Sequence, residues 1–278
     1  MGHHYLPQYY LHGFSDENVV WVHDRKVSRS FASQPKSIAN ENDLYTEDLE
    51  SELANQIEGP ANPILDKVRA LQSITTEEKR ILATYLFVLW KRVPRARDRF
   101  ASAIPDVSAS VRQELHAGLS AAAEELPIMA HVAEWRRVEV DRILDRIERE
   151  RPPSIWHESL MKQSSADVIG SMMTMQWRFL YSKSAEFLTS DNPVFFFEHE
   201  GIGQASSELT VPLSSSVALW ATRRQSPPTV FVQVRPAVVR EVNRRMAHNA
   251  SRYLYSKTDR PWILPFFSKG KYALTRLV

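Results

Sequence analysis

The segment FLTSDNPV, residues 187–194, marks the point at which the chain changes from helix to strand. Apolar residues before it recur with the spacing of a helix, whereas those around and after it move towards a period of two. Two apolar segments, 186–189 and 194–197, flank the polar residues 190–193, and this pattern predicts a turn at the edge of a sheet. The last third of the chain is therefore expected to be rich in strands.

Apolar runs downstream of this segment predict the rest of that sheet. The predicted strands are 209–213, 217–221, 230–234, 253–255 and 272–274. Pro236 interrupts them and predicts the first turn of a helix, because proline fits the first helical position.

Upstream, residues 48–182 have helical periodicity. Thr75 and Glu78 form a capping-box pattern before the apolar run 81–90, which predicts a helix at the centre of the core. Pro94 is expected to kink or end that helix. Asn62-Pro63 predicts the start of an earlier helix.

Three more helices are predicted, over 108–125, over 132–150 and after residue 165. The second is amphipathic, and its inward residues are predicted to be Val138, Ile143, Leu144 and Ile147. The third is expected to run as far as Trp177.

The beginning of the chain predicts a hairpin, with strands at 19–22 and 27–31 around a turn at 24–26. Since an isolated hairpin is only marginally stable, we expect it to join the C-terminal sheet. The predicted fold is one α+β domain, residues 1–278. In it a helical subregion, about 48–182, packs on a mainly antiparallel sheet formed by 1–47 plus 183–278.

Composition limits the classes of function. The 278 residues include no cysteine, which excludes thiol catalysis and zinc–thiolate sites. The longest apolar run, 85–90, is too short to span a bilayer, and no leader pattern is seen, so we expect no membrane association and a cytoplasmic location. The net charge of +2 predicts no strong global attraction to nucleic acids. Nucleotide-binding glycine loops and serine-hydrolase elbows are also missing from the sequence.

His3 and His4 are the first candidate site residues. Adjacent side chains of an extended segment point to opposite faces, so the two histidines are expected to do different jobs. Either can act as a general base near neutral pH, or bind a divalent metal together with a carboxylate such as that of Asp191. The alternatives are a structural histidine or the remnant of a tag.

Gln8 follows Pro7, which restricts the local backbone. Its amide can hold a ligand through both a donor and an acceptor, or it can bond a buried backbone loop. Asp191 and Asn192 in the predicted turn are candidates for a base or metal ligand and for an orienting group. The structural alternative is that both bond the local backbone.

Arg92 and Arg95 lie at the end of the apolar helix, three residues apart. Arginine makes bidentate contacts with phosphate, so one hypothesis is a phosphate clamp. The alternative is a solvated or salt-bridged face. Asn249 lies near the end of the helix that Pro236 begins and is a candidate either for a contact to a substrate or for a cap of that helix.

Several segments in this order resemble the bacterial "domain of unknown function 4238" family: HHYLPQYYLHGF, DLYTED, LWKRVPRARDRF, MTMQWRFL, FLTSDNPV, VPLSSSVALWAT and VNRRMAHNASRYLYS. The resemblance covers essentially the whole chain. It marks His3, His4, Gln8, Asp191, Asn192 and Asn249 as matches to the recurrent polar residues of the family. It implies no settled activity.

Two functions follow as expectations. The first is a metal-assisted or histidine-dependent, nuclease-like hydrolase of a nucleic acid or nucleotide. In it His3 or His4 would be base or ligand, Asp191 a ligand or second base, and Asn192 an orienting group. Gln8, Arg92, Arg95 and Asn249 would contact the substrate. The second is a non-enzymatic binding or regulatory module of a bacterial defence or toxin-type system, in which the same residues fasten the N-terminal segment to the sheet.

Overall fold

A computed structural model describes residues 2–161, 166–197, 202–224, 230–270 and 272–277. Its contacts divide the chain into two compact units. The first unit comprises residues 1–94 and 161–278, and the second comprises 95–160. The second unit is helical and lies within the helical subregion predicted from the sequence. That the whole chain forms a single domain stays a prediction.

Helices occupy most of the middle of the chain, as predicted. The helices, including those outside the middle, are α1 (Gln8–His12), α2 (Glu47–Glu52), α3 (Gly59–Arg69), α4 (Thr76–Arg92), α5 (Pro94–Glu125), α6 (Ala130–Glu150), α7 (Pro153–Met161), α8 (Ala166–Thr174), α9 (Pro236–Asn249) and α10 (Ile263–Ser268). A π-helical segment, Leu53–Glu58, joins α2 to α3. Short 3-10 turns occur at Pro35–Ser37 and Pro127–Met129.

The strands come from the two ends of the first unit. They are β1 (Gly2–His4), β2 (Val20–Asp24), β3 (Arg29–Ser33), β4 (Asn40–Asn42), β5 (Gln176–Tyr181), β6 (Thr189–Ser190), β7 (Phe195–Phe196), β8 (Glu208–Pro212), β9 (Val217–Thr222), β10 (Phe231–Gln233) and β11 (Tyr253–Ser256). They form three sheets, in the orders β1-β4, β10-β5-β9-β8-β7 and β3-β2-β11-β6. Every pair is antiparallel except β10 with β5, so the α+β class with antiparallel sheets is confirmed.

The N-terminal hairpin joins the C-terminal strands, as predicted. β2 pairs with β11, with His23 opposite Leu254. β11 pairs on its other side with β6, where Leu254 lies opposite Ser190. The hairpin, the last strand and the FLTSDNPV segment therefore share one four-stranded sheet. The predicted single sheet is divided, because the other C-terminal strands form a separate sheet.

Helix α9 covers the FLTSDNPV segment. Leu188 packs in an apolar cluster with Met246 of α9 and Leu254. Phe187, which points the other way, packs in a second cluster with Val239 and Val242 of the same helix. Alternation along the strand and helical spacing on α9 thus place both faces of one extended segment against apolar neighbours.

The capping box is confirmed. Glu78 N–H donates to Thr75 Oγ at 3.2 Å, and Thr75 N–H donates to the Glu78 carboxylate at 2.8 Å. The helix ends at Arg92, and Pro94 begins α5 rather than kinking α4. Pro63 lies inside α3 instead of at its start, so the predicted helix start at Asn62-Pro63 is wrong. The helix begins earlier because it continues directly from the π-helical segment.

One predicted helix end and one predicted strand are wrong. The helix predicted to run as far as Trp177 ends at Thr174, and β5 begins at Gln176, with Trp177 and Phe179 buried on one face and paired to β9. Residues 272–274 form no strand, although Tyr272 does pack on the Leu188 cluster. Both errors have one cause, because long-range pairing decides short apolar runs that have no strong local preference.

The inward face predicted for α6 is also wrong at two positions. Val138 is 61% exposed and Ile143 is 39% exposed. The side of α6 that meets α5 is polar, since Arg112 bonds Asp145 at 2.8 Å and His116 lies 3.1 Å from Asp141. The apolar residues that sequence periodicity assigned to a core are therefore left partly in solvent.

Candidate functional site

Asp191 lies in the turn after β6, and its side chain holds the entry to β11. It is 5% exposed. Its Oδ1 accepts from Ser251 N–H at 2.8 Å, and its Oδ2 accepts from the N–H groups of Arg252 and Tyr253 at 2.6 and 3.0 Å. Burial raises the pKa of Asp191 to about 6, and the three backbone N–H groups and Arg25 oppose that rise. The carboxylate is thus buried, and its three backbone bonds tie the turn after β6 to the start of β11.

Asn192 and Asn249 bond each other's backbone. Asn192 Nδ2 donates to Asn249 O at 3.1 Å, and Asn249 Nδ2 donates to Asn192 O at 2.7 Å and to Val194 O at 3.1 Å. This exchange ties the turn to the end of α9. Asn192 Oδ1 is buried and accepts no hydrogen bond within the described part of the chain.

A second pair, Asn243 and Glu186, extends the same fastening and was missed in the sequence. Asn243 Oδ1 accepts from Leu188 N–H at 2.9 Å, and its Nδ2 donates to Glu186 O at 3.0 Å. The Glu186 carboxylate accepts from Lys257 N–H, from Thr258 N–H and from Thr258 Oγ–H. Asn243 lies six residues before Asn249 on α9. Asn243 and Asn249 are two amide side chains on the helix predicted to begin at Pro236, and this repeat is a signal that could have found it.

His3 and His4 point to different partners, as their adjacent positions in β1 predict. His3 is 7% exposed, and its Nδ1 accepts from Tyr45 N–H at 3.2 Å. His4 is half-buried, and its Nε2–H donates to Lys36 O at 3.2 Å. Both imidazoles therefore bond the backbone of the segment that contains β4.

Arg92 is buried beside β1. Its guanidinium is 1% exposed, pairs with Glu58 at 2.5 Å, and donates to His4 O. Glu50 lies 3.8 Å away, and the Tyr45 hydroxyl donates to Arg92 O. Burial lowers the pKa of Arg92, but the nearby Tyr45, Glu58 and Glu50 raise it by a larger amount. The guanidinium therefore stays charged. A phosphate contact would require this ion pair to open.

Gln8 and Arg95 are the other two predicted site residues. Gln8 is exposed at the first position of α1, and none of the hydrogen bonds found among the described residues involves its amide. Arg95 is half-buried in the first turn of α5 and belongs to the second compact unit. The first unit alone therefore does not assemble the predicted clamp of Arg92 and Arg95.

The second half of HHYLPQYYLHGF is held by backbone contacts. The Tyr10 hydroxyl donates to Pro212 O at 2.7 Å and lies 2.6 Å from Thr189 Oγ. Arg69 donates to the carbonyls of Tyr9 and Tyr10. A Cβ on Gly13 would come within 2.6 Å of Leu213 O, so only glycine fits there.

Tyr5 connects the two groups of predicted residues. Its hydroxyl lies 3.4 Å from the hydroxyl of Tyr255 on β11. Burial, and then the negative charge of Asp191, raise the pKa of the Tyr5 hydroxyl. The N-terminal segment therefore reaches the neighbourhood of Asp191 through Tyr5.

His23 is a fully buried histidine that sequence analysis missed. Its ring lies between two hydroxyls, with Nδ1 2.8 Å from Ser30 Oγ and Nε2 2.8 Å from Ser256 Oγ. Ser256 Oγ–H donates to Thr258 O, so it accepts from Nε2–H, and Ser30 donates to Nδ1. Burial lowers the pKa of His23 to about 4, which keeps the ring neutral.

A cleft of about 840 Å³ opens in the first unit. One side is α9, which contributes Val239 and Asn243. The other sides are residues 184–186 and the segment around α10, together with Tyr272. It is an open cleft of a size that suits a small ligand.

The lining of the cleft is basic. It includes four cations, Arg240, Arg244, Arg260 and Lys269, and one carboxylate, that of Glu186. Arg244 pairs with Glu241 at 3.3 Å. Within the described ranges, Arg240, Arg260 and Lys269 make no ion pair. The glutamate is already bonded to the backbone at 257–258.

One wall of the cleft is aromatic. Trp262 and Phe266 meet edge to face with centroids 5.6 Å apart, and Phe266 and Tyr272 lie 4.9 Å apart. Trp262 is 47% exposed. The cleft was not predicted from the sequence, although Arg240 and Arg244 are four residues apart on a predicted helix and therefore share a face.

The sequence of the chain matches one known protein family. Residues 2–260 match the family described as "protein of unknown function (DUF4238)". The chain belongs to this family. The resemblance inferred from the ordered motifs is therefore confirmed, and no curated protein and no solved structure matches the chain significantly.

Five candidate site residues of this DUF4238 chain fall into two groups. Asp191, Asn192 and Asn249 surround the turn after β6, and His3 and His4 lie in β1 beside Arg92. Gln8 stays outside both groups. Most of these side chains bond the backbone of distant segments.

The described ranges of this DUF4238 chain lack two features. They contain no group of three or more histidine, aspartate or glutamate side chains that could hold a metal ion. They also contain no helix that is both long and apolar enough to cross a bilayer. The metal role suggested for His3, His4 and Asp191 stays a prediction.

Proposed function

We propose that this chain is a binding module for phosphate-bearing anions, and that the basic cleft is its binding site. The observation that carries the proposal is the set of three cations, Arg240, Arg260 and Lys269, that face one cleft without a carboxylate partner in the described ranges. Guanidinium groups favour phosphate through bidentate hydrogen bonds. Membership in a bacterial, cytoplasmic system, including a defence or toxin-type one, belongs to the same proposal.

The contacts of five candidate site residues support a binding module. Asp191, Asn192, Asn249 and His3 each bond backbone groups of a distant segment, and Arg92 is committed to Glu58. Such bonds fasten the N-terminal segment and the β6 turn to their neighbours. None of these bonds involves the cleft cations Arg240, Arg260 and Lys269, which can therefore contact a ligand.

Titration calorimetry with inorganic pyrophosphate tests the proposal. We expect the wild-type chain to bind pyrophosphate, and the double variant Arg240→Ala/Arg260→Ala to lose at least about tenfold in affinity. The matched control is Arg80→Ala/Arg142→Ala, because it removes the same charge from exposed positions outside the cleft. Absence of binding by the wild type, or equal losses in both double variants, would contradict the proposal.

A hydrolase of a phosphate-containing substrate is the second candidate. The observation in its favour is Asp191, whose pKa, raised by burial to about 6, suits a general base near neutral pH. His4 would assist as a base or ligand, and Asn192 would orient the substrate. Access to Asp191 would require its backbone bonds to open.

A nuclease and nucleotide-hydrolysis screen, with and without divalent metal, tests this candidate. Wild type is compared with His4→Ala and Asp191→Asn, and circular dichroism checks that each variant is folded. Loss of activity in a folded variant supports the hydrolase. Equal rates in wild type and both folded variants would remove it.

A further inference from the structure

The aromatic wall of the cleft points to a more specific ligand. We propose that the cleft binds a mononucleotide, with the base stacked on Trp262 and the phosphate held by the cations of α9 and Arg260. This inference rests on the proposed function. It adds the class of ligand and a residue that selects it.

Trp262 offers the stacking surface. It precedes α10, lines the cleft, and is 47% exposed, although large aromatic side chains are usually well covered. Phe266 meets it edge to face, so the contact supports the indole while leaving ring surface open. An exposed indole face stacks on any base, because every base has a π-face.

Tyr272 supports this wall. Phe266 packs against Tyr272, whose hydroxyl donates to Phe266 O. Arg244 lies close enough to Tyr272 to lower the pKa of its hydroxyl, although burial raises that pKa more. The aromatic wall and the cationic wall therefore meet at this pair, so one ligand can contact both.

The phosphate end is set by the geometry of α9. Arg240 and Arg244 are four residues apart and share the helix face that lines the cleft. Arg260 lies two residues before Trp262, so a cation and an aromatic ring come from the same short segment. A ligand with a planar ring and a phosphate a few bonds apart matches this combination.

The size of the cleft favours a mononucleotide over a nucleic-acid strand. Its volume of about 840 Å³ is that of a single small-ligand site. A strand would need a basic groove that tracks several phosphates, whereas the chain as a whole carries a net charge of only +2. Single-stranded RNA is therefore treated as an alternative outcome.

Calorimetry with matched probes tests the inference. AMP and ribose 5-phosphate carry the same phosphate and sugar and differ in the base. We expect the wild type to bind AMP at least about tenfold more tightly than ribose 5-phosphate, from stacking alone. Trp262→Ala should remove most of this difference, and Trp262→Phe should keep most of it, because a ring remains.

Trp135→Ala is the control, since Trp135 is 58% exposed and lies on α6, outside the cleft. Equal wild-type affinities for AMP and ribose 5-phosphate would overturn the inference without any variant. If pyrophosphate still bound in that case, and Arg240→Ala/Arg260→Ala weakened it, the proposed function would stand alone. Binding of none of the three probes would overturn both. Much tighter binding of a single-stranded RNA 12-mer than of AMP, sensitive to the same variants, would replace the mononucleotide by a strand.

Discussion

Several buried polar side chains of this protein find partners in distant parts of the sequence. Asp191 receives three backbone N–H groups from 251–253. Arg245 is fully buried and pairs with Glu208 at 2.6 Å while donating to Thr210 Oγ. Leaving such a group unpaired costs about 1–3 kcal/mol or more, so these residues specify which segments meet. At the scale of single residues, the first role of these side chains is to stabilise the fold.

His23 gives a pH-dependent prediction. Its pKa is lowered by burial to about 4, whereas in the unfolded chain it returns to the ordinary value of a histidine. The unfolded state therefore binds more protons, and the stability contributed by neutral His23 is lost as pH falls from about 6.5 towards 4. Between pH 7.5 and 5 we expect the wild type to lose about 2 kcal/mol more unfolding free energy than His23→Gln.

Urea denaturation at both pH values measures this difference. His131→Gln is the control, because His131 is exposed on α6. Equal pH slopes for the wild type and His23→Gln would show that the buried imidazole titrates normally.

At the scale of elements, α4 is joined to the N-terminal segment by one side chain. Arg92, at the last position of α4, contacts Glu58 before α3 and His4 O in β1. The hydroxyl of Tyr45 bonds the carbonyl of the same residue. One buried arginine of α4 thus holds β1 and the segment before α3 in contact with its own helix.

Arg92→Met should destabilise the first unit by about 3 kcal/mol, because it leaves Glu58 partly buried without its cation. Arg80→Met on the same helix is the matched control, since Arg80 is 61% exposed and its one ion pair among the described residues is with Glu77 on its own helix. The control should change stability by less than about 0.5 kcal/mol. Thermal or urea unfolding measures both variants. Similar effects of the two substitutions would contradict the structural role of Arg92.

At the scale of the whole molecule, the two compact units differ in how much they bury. The buried side chains of residues 95–160 are few: Ala96, Ile104, Ser108, Ala133, Trp156 and Leu160. Polar contacts such as Arg112 with Asp141 and Asp145 join its long helices. The first unit, in contrast, has two apolar clusters around α9.

Hydrogen exchange should therefore separate the units. We expect the amides of α6 and of the second half of α5 to exchange at least about tenfold faster than those of α9 and β11, because local opening is easiest where few apolar contacts are broken. Mass spectrometry of deuterated peptides measures these rates. Equal protection of α6 and α9 would show that the second unit opens only together with the first.

The sequence by itself determined the features that depend on local pattern. The capping box at Thr75 and Glu78, the helical middle and the start of α9 at Pro236 follow from short-range chemistry and periodicity. The marginal stability of an isolated hairpin predicted that it would pair with C-terminal strands. The ordered motifs also determined the family. Asp191, Asn192 and Asn249 bond backbone groups of neighbouring segments, and the catalytic and substrate-binding roles suggested for them stay predictions.

Only the tertiary structure decided the rest, since it depends on residues far apart in the chain. The burial of Arg92 against Glu58 and of His23 against Ser256 cannot be read from either neighbourhood alone. The strand β5 exists because β9 pairs with it, and the basic cleft exists because α9 meets the segment around Trp262. Local patterns limit what each segment can form. The distant partner decides whether a polar side chain bonds another segment of the protein or is available to bind a ligand.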